Sequence, residues 1–248
     1  MKKPGYQERA YRDAFKGADL IYFDVRVMET DLRIGAKRDL AMEAESAVRK
    51  YRRQLEAYIG LQPDFLTSLA PIEPFPGAPE IALKMCAAAK LAGVGPMAAV
   101  AGAFSQLVGE ELLAWTDEVI VENGGDIYMK TSVERIAAIH AGENPLSGKF
   151  GIVVSPAVSP IGICTSSGTV GHSLSFGKAD AAVILAKDAF IADAAATAVC
   201  NRVQTADDIT EALNFGMGIE SVIGIVIIIG EEIGVLGQVE LKTLIRGD

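Results

Sequence analysis

The stretch "VIVENGGDIYMK", residues 119–130, carries the first decision about this chain. Two strand-like runs, Val119–Glu122 and Ile127–Lys130, flank Asn123-Gly124-Gly125-Asp126. Read locally, the four residues close a β-hairpin, because an Asn-Gly turn tolerates the positive φ that such a connection needs. They also suit a ligand cradle, since backbone N–H groups freed of side chains can approach a phosphate or a flat ring.

Working outward, "DLIYFDVRVMETDLRI" at 19–34 alternates as one or two strands. Lys37–Ile59 is predicted to be a long amphipathic helix with Leu40, Ala47, Val48, Tyr51, Leu55 and Tyr58 on one stripe. Pro63, Pro71, Pro74, Pro76 and Pro79 make 61–79 a rigid, irregular connection. Helices are predicted at 79–92 and 97–115. The second carries Ala98, Ala99, Ala101, Gly102 and Ala103, small residues that permit close backbone packing. After the central turn a short helix is expected around 132–141, then strands near 151–155, 160–165 and 181–186. Helices at 189–203 and 206–215 follow, and a hairpin turned at Gly230–Gly234 closes the chain. Strands come in pairs as often as they alternate with helices. That pattern predicts an α+β fold with antiparallel or mixed sheets, not a doubly wound parallel one. The expectation is a single domain of 1–248, or two intimate lobes dividing near 130–150.

Composition excludes several function classes. Half of the 248 residues are hydrophobic and only 6% aromatic, so Ala, Val, Ile and Leu supply a sizeable core. A net charge of −9 argues against a duplex nucleic-acid binder, which needs a basic footprint. Arg49-Lys50 and Arg52-Arg53 share their helix with Glu43, Glu45 and Glu56 and read as a solvated face. Cys86, Cys164 and Cys200 make an odd count with no CxxC, so neither a disulfide framework nor a zinc site is signalled. The basic N-terminus has no apolar run behind it, and Lys90 and Pro96 interrupt the Ala/Gly-rich stretch 89–109. The expectation is a soluble cytoplasmic protein without a membrane partner, its oligomeric state open.

Three stretches hold groups that could do chemistry. Asp126 either caps its own turn or receives a ligand hydroxyl or ring N–H. Thr165-Ser166-Ser167-Gly168, continuing to His172, concentrates hydroxyls and N–H groups at a strand end, as an anionic ligand requires. It is not a Walker loop, because no Gly-Lys-Ser/Thr follows at the required spacing. In "DAFIADAAATAVCNRV", Asp193 and Thr197 stand four apart on one helical face, a half-site for a hard cation such as Mg2+. The competing reading of Asp193 is a solvent-facing carboxylate near a helix start. Residues alone stop at an acidic α+β protein with an anionic-ligand cleft.

In order, "VIVENGGDIYMK", "ICTSSGTVGHS" and "FIADAAATAV" resemble three motifs of the ApbE-type flavin transferases. Those are a glycine-glycine-aspartate turn, a serine/glycine strand leading to a histidine, and an Asp-x-x-x-Thr helix. A closer resemblance, over nearly the whole chain, is to an uncharacterised ApbE-related family of bacteria and archaea. "ETDL" at 29–32, "GVGPMAAVAGA" at 93–103, "VENGGDI" at 121–127 and "SFGKAD" at 175–180 carry it. The resemblance implies an ApbE-like fold of two T-fold-like lobes. It also implies a Mg2+-dependent reaction that splits FAD and attaches FMN to a Thr or Ser of an acceptor protein. Carried over by position, Asp193 and Thr197 become metal ligands, Gly124, Gly125 and Asp126 line the flavin, and His172 is catalytic. With Asn123, Thr165, Ser166, Ser167 and Gly168, these residues would bind FAD, FMN or another phosphorylated nucleotide. The chain departs from the transferase motifs at Ala101-Gly102-Ala103, where those enzymes have Lys-Gly before an aromatic. It departs again at Ser173-Leu174, where they have Asp-Pro, and at Ala196, where they have Ser. A binding or assembly protein that kept the cleft and lost the chemistry is the rival expectation.

Overall fold

The computed structural model describes residues 19–169 and 175–244. Eight strands form one sheet: β1 (Ile21–Val27), β2 (Thr30–Ala36), β3 (Val119–Asn123), β4 (Asp126–Lys130), β7 (Ile161–Ser166), β8 (Ala181–Ala186), β9 (Val222–Ile229) and β10 (Glu232–Gly237). They lie side by side in that order, every pair antiparallel. A smaller sheet runs β11 (Leu241–Thr243), β6 (Phe150–Val154) and β5 (Arg135–Ala138). The helices are α1 (Ala41–Leu61), α2 (Asp64–Thr67), α3 (Glu80–Ala92), α4 (Val100–Leu112), α5 (Ala189–Cys200) and α6 (Ile209–Met217).

The large sheet is covered on both faces, and its side chains sort by alternation. Val119, Val121, Ala182 and Ile184 join the core beneath the helices. Their neighbours Ile120, Ala181, Val183 and Leu185 face a second core shared with Ala137, Ile139, Ile152 and Val154. Burial on both faces is why β8 reads as an unbroken apolar run, "AAVILA", and not as an alternating one.

Helix α5 is central, packed against β7, β8, α3 and α4. Ten of its twelve residues are buried, so its apolar surface is not a stripe. Its neighbours approach to backbone contact. A Cβ on Gly102 of α4 would stand 2.2 Å from the Ala189 carbonyl oxygen, and one on Gly162 of β7 would stand 2.5 Å from the Ala189 Cα. On the Ala/Gly face of the predicted second helix, Ala99, Gly102 and Ala103 are buried, while Ala98 and Ala101 are half-buried.

Two sequence expectations are corrected. Residues 132–141 do not form a helix. Arg135–Ala138 is a strand paired with β6, and Ala137 and Ile139 alternate into the second core. Tertiary pairing overrode local helix propensity there. The closing hairpin turns at Gly230, where φ is +58°, whereas Gly234 lies within β10, where a Cβ would strike Ile209 of α6. No single described helix is long and apolar enough to cross a membrane.

Candidate functional site

The central turn is a hairpin. Gly124 and Gly125 have φ of +69° and +109°, and Asn123 pairs with Asp126 across them. A two-residue connection with both central residues at positive φ matches the right-handed twist of the flanking strands. A side chain at Gly125 would meet open space, so φ, not crowding, requires that glycine. The Gly125 N–H donates to Glu122 Oε1 at 2.9 Å, which closes the turn on its own strand.

Next to the turn, β3, β4, β7, α4 and α5 meet. The Asp126 carboxylate, on the first residue of β4, accepts the Thr165 N–H of β7 at 3.1 Å. The Asn123 side-chain amide donates to the Ala101 carbonyl at 3.2 Å. From α5, Asp193 Oδ2 accepts the Gly102 N–H of α4 at 2.8 Å. The residue before α4, Ala99, offers no side-chain cap, so α4 takes its cap from another helix. The carboxylate thereby stands at the positive end of the α4 dipole. The exchange is mutual: Gln106 of α4 accepts the Ala189 N–H at the start of α5, at 2.7 Å.

The electrostatics of this cluster are unbalanced. Burial raises Asp193 to about 7, although the Gly102 and Ala101 N–H groups favour its charged form. Asp126 is pushed well above the usual carboxylate range by burial and by the negative charge of Asp193, with Glu122 adding to it. Among the described residues, no Lys or Arg forms an ion pair with Asp126 or Asp193. Thr197, one turn beyond Asp193, is 6% exposed. Asp193 is therefore a partly buried inter-helix cap, not a solvent-facing carboxylate near a helix start.

Of the sequence candidates, Asn123, Asp126, Thr165 and Asp193 come together, with Gly124 and Gly125 in the adjoining turn and Thr197 one turn along α5. The other part of the second motif faces elsewhere. A Cβ on Gly168 would stand 1.9 Å from the Gly177 carbonyl oxygen, and the Gly168 N–H donates to Ala179. That glycine answers a close backbone crossing. Ser166 is buried at 3% exposure, toward the Cys200 thiol, and Ser167 accepts the Thr169 N–H in a local turn. His172 lies outside the described residues. Sequence reasoning missed Ser105, a fully buried serine of α4 that touches both Ala101 and Asp126. Its one signal was a hydroxyl amid an Ala/Gly helix face.

No cluster of three or more His, Cys, Asp or Glu side chains that could hold a metal exists among the described residues. The Asp126 and Asp193 carboxylates and the Thr197 hydroxyl are all hard oxygen donors. Few protein ligands of that type suit Mg2+, which keeps several of its waters.

The architecture is that of the ApbE-like α+β proteins. The apo flavinyl transferase ApbE of Pseudomonas stutzeri superposes with a TM-score of 0.51 at 14% identity, covering 88% of this chain and 94% of that one. A variant of the flavin transferase ApbE from Vibrio cholerae gives 0.55 at 11% identity, covering 88% and 97%. At these identities the likeness shows the fold alone. Sequence comparison is more specific. The family model described as "AbpE bacteria" matches residues 12–241. A UPF0280 protein of Methanococcus aeolicus is 38% identical over 226 residues, 89% of this chain and 91% of its own. Another, from Methanocaldococcus jannaschii, is 41% identical over 202 residues, 79% and 82%. The chain belongs to this ApbE-related family.

Proposed function

We propose that the protein binds a flavin or another nucleotide through Mg2+ held by Asp126, Asp193 and Thr197. One observation carries the reading: a buried and a partly buried carboxylate from different elements stand together, both raised, with no Lys or Arg ion-paired to either among the described residues. Burying like charges is costly unless a cation or a proton compensates, and a site built so is poised for either. A bound Mg2+ would neutralise the phosphoanhydride oxygens of FAD, leaving the FMN-side phosphorus open to attack by an acceptor hydroxyl with AMP as the leaving group. This chain's part is to present the oxygens and offer the open turn at Gly124-Gly125 as the wall a flat ring could approach.

Transfer of FMN from FAD to a Thr or Ser of an acceptor protein is the activity this site would serve, with His172 as the catalytic candidate. A second reading, ligand binding without turnover, is favoured by a specific observation. Ala101, Gly102 and Ala103 stand where the transferases carry Lys-Gly and an aromatic, and here the α4 start is occupied by the Asp193 cap. Native mass spectrometry of the freshly purified chain, followed by FAD, FMN and ADP titrations with and without Mg2+, separates the two. Magnesium-dependent release of AMP from FAD supports the transferase. Binding without release supports the second reading, and binding of none of the three ends both.

A further inference from the structure

We infer that Ser105 is a positioning residue, fixing the first residue of β4 against the first turn of α4 and so setting Asp126 relative to Asp193. This rests on the reading of those carboxylates as one cation site. The Ser105 hydroxyl lies 2.8 Å from the Ala101 carbonyl oxygen and 2.8 Å from the Asp126 carbonyl oxygen. Its one proton serves either acceptor. A helical serine satisfies itself fully on the carbonyl four residues back, so the Ala101 contact alone would be unremarkable packing. The Asp126 contact is different, because it crosses from helix to sheet.

Asp126 needs such a contact. Its strand pairs with β7 only from Ile127 onward, which leaves Asp126 one residue beyond that ladder. Its register to Asn123 fixes it on the β3 side. Toward α4 the Ser105 hydroxyl meets its main chain, and toward β7 the Thr165 N–H holds its carboxylate. Three residues before Ser105, on the same turn, the Gly102 N–H holds Asp193. A single helical turn therefore carries the contacts to both carboxylates. Groups that orient metal ligands in this way typically contribute about 10–100-fold to metal affinity.

The test uses the full chain with Ser105→Ala and Ser105→Cys, the latter keeping a weak donor of similar size. Calorimetric titration with Mg2+ alone should show about tenfold weaker binding for Ser105→Ala, partial recovery for Ser105→Cys, and a melting temperature close to wild type for both. Crystal structures of wild type and Ser105→Ala provide a readout independent of any ligand. The inference predicts that the Asp126 main chain moves away from α4 and its separation from Asp193 changes. Failure of wild type to bind Mg2+ would count against the proposed function, while the crystal structures still decide the role of Ser105. An unmoved Asp126, or unchanged Mg2+ affinity where wild type binds it, overturns the inference.

Discussion

Two clusters of buried acid lie in this molecule, and they are built in opposite ways. Around Glu118, 1% exposed, every charge is answered. Arg135 reaches Glu118 at 2.9 Å and clasps Asp19 with two bonds of 2.7 and 2.8 Å. Lys37 bridges Asp19 and Glu118 at 2.9 and 3.1 Å, while Ser132 and Thr131 donate their hydroxyls. Burial alone would raise Glu118, but hydrogen bonds from Ser132, Arg135, Lys37 and Thr131 outweigh it and bring it to about 2. Around Asp126 and Asp193, the described residues bring N–H groups, a thiol and the further negative charge of Glu122, and both carboxylates are raised. Burial of acid is common to the two. What differs is the supply of cations, which the first cluster takes from Arg135 and Lys37 and the second takes from none of the described residues. The first is a clamp between the large sheet and β5; the second is the one we propose to receive Mg2+.

The largest expected effect breaks the balanced side. Arg135→Ala leaves Glu118 buried beside a weakened set of partners and should cost about 3–5 kcal/mol, read as a lower urea midpoint at unchanged slope. On the unbalanced side, Asp193→Asn keeps an oxygen for the Gly102 N–H and removes the charge. It should lower Mg2+ affinity about 100-fold while leaving metal-free stability at pH 8 equal or higher. Asp193→Ala should behave worse in the second respect, losing about 1 kcal/mol, because it also removes the cap of α4.

Titration sharpens the contrast, because the clusters have opposite signs. Glu118 is held down from 4.5 to about 2, so its stabilisation is complete above 4.5 and is lost as pH falls toward 2. Asp193 is held up from 3.8 to about 7, so the fold takes up its proton first, and metal-free stability declines as pH rises between those values. Each slope is at most about 1.4 kcal/mol per pH unit for one group. Thermal melts from pH 3 to 9 of wild type and Asp193→Asn check this: the variant should lose the Asp193 part of the decline between pH 3.8 and about 7, keep a decline from the raised Asp126, and keep the acid-side loss of Glu118. The smallest effect tests the turn. Gly125→Ala meets no neighbour but must adopt φ near +109°, and should cost about 1 kcal/mol in the same urea assay without abolishing Mg2+ binding.

Much of this was legible in the sequence, for reasons visible in particular residues. The Gly124-Gly125 turn was legible because two positive-φ positions in succession leave little choice beyond glycine. The close packing of α4 was legible because Ala and Gly have no other use at such density. Arg135–Ala138 was misread, since a four-residue strand in a small sheet takes its identity from β6 and not from its own pattern. Thr165 to Gly168 looked like one ligand loop. It is divided, with Thr165 turned to Asp126 and Gly168 committed to the crossing with Gly177. Backbone crossings leave the same glycine in the sequence that a phosphate cradle would. The cap that Asp193 gives α4 spans 91 positions along the chain, and no local spacing could reveal it.

The contrast between the clusters reduces to whether the second accepts a cation. Calorimetric titration of Mg2+ into the metal-free chain at pH 8, alone and with ADP present, measures that directly beside Asp193→Asn. The account predicts saturable binding by wild type, strengthened by ADP and weakened as pH is lowered through 7, with about 100-fold loss in the variant. Equal binding by wild type and Asp193→Asn, or no binding by wild type under either condition, would contradict it.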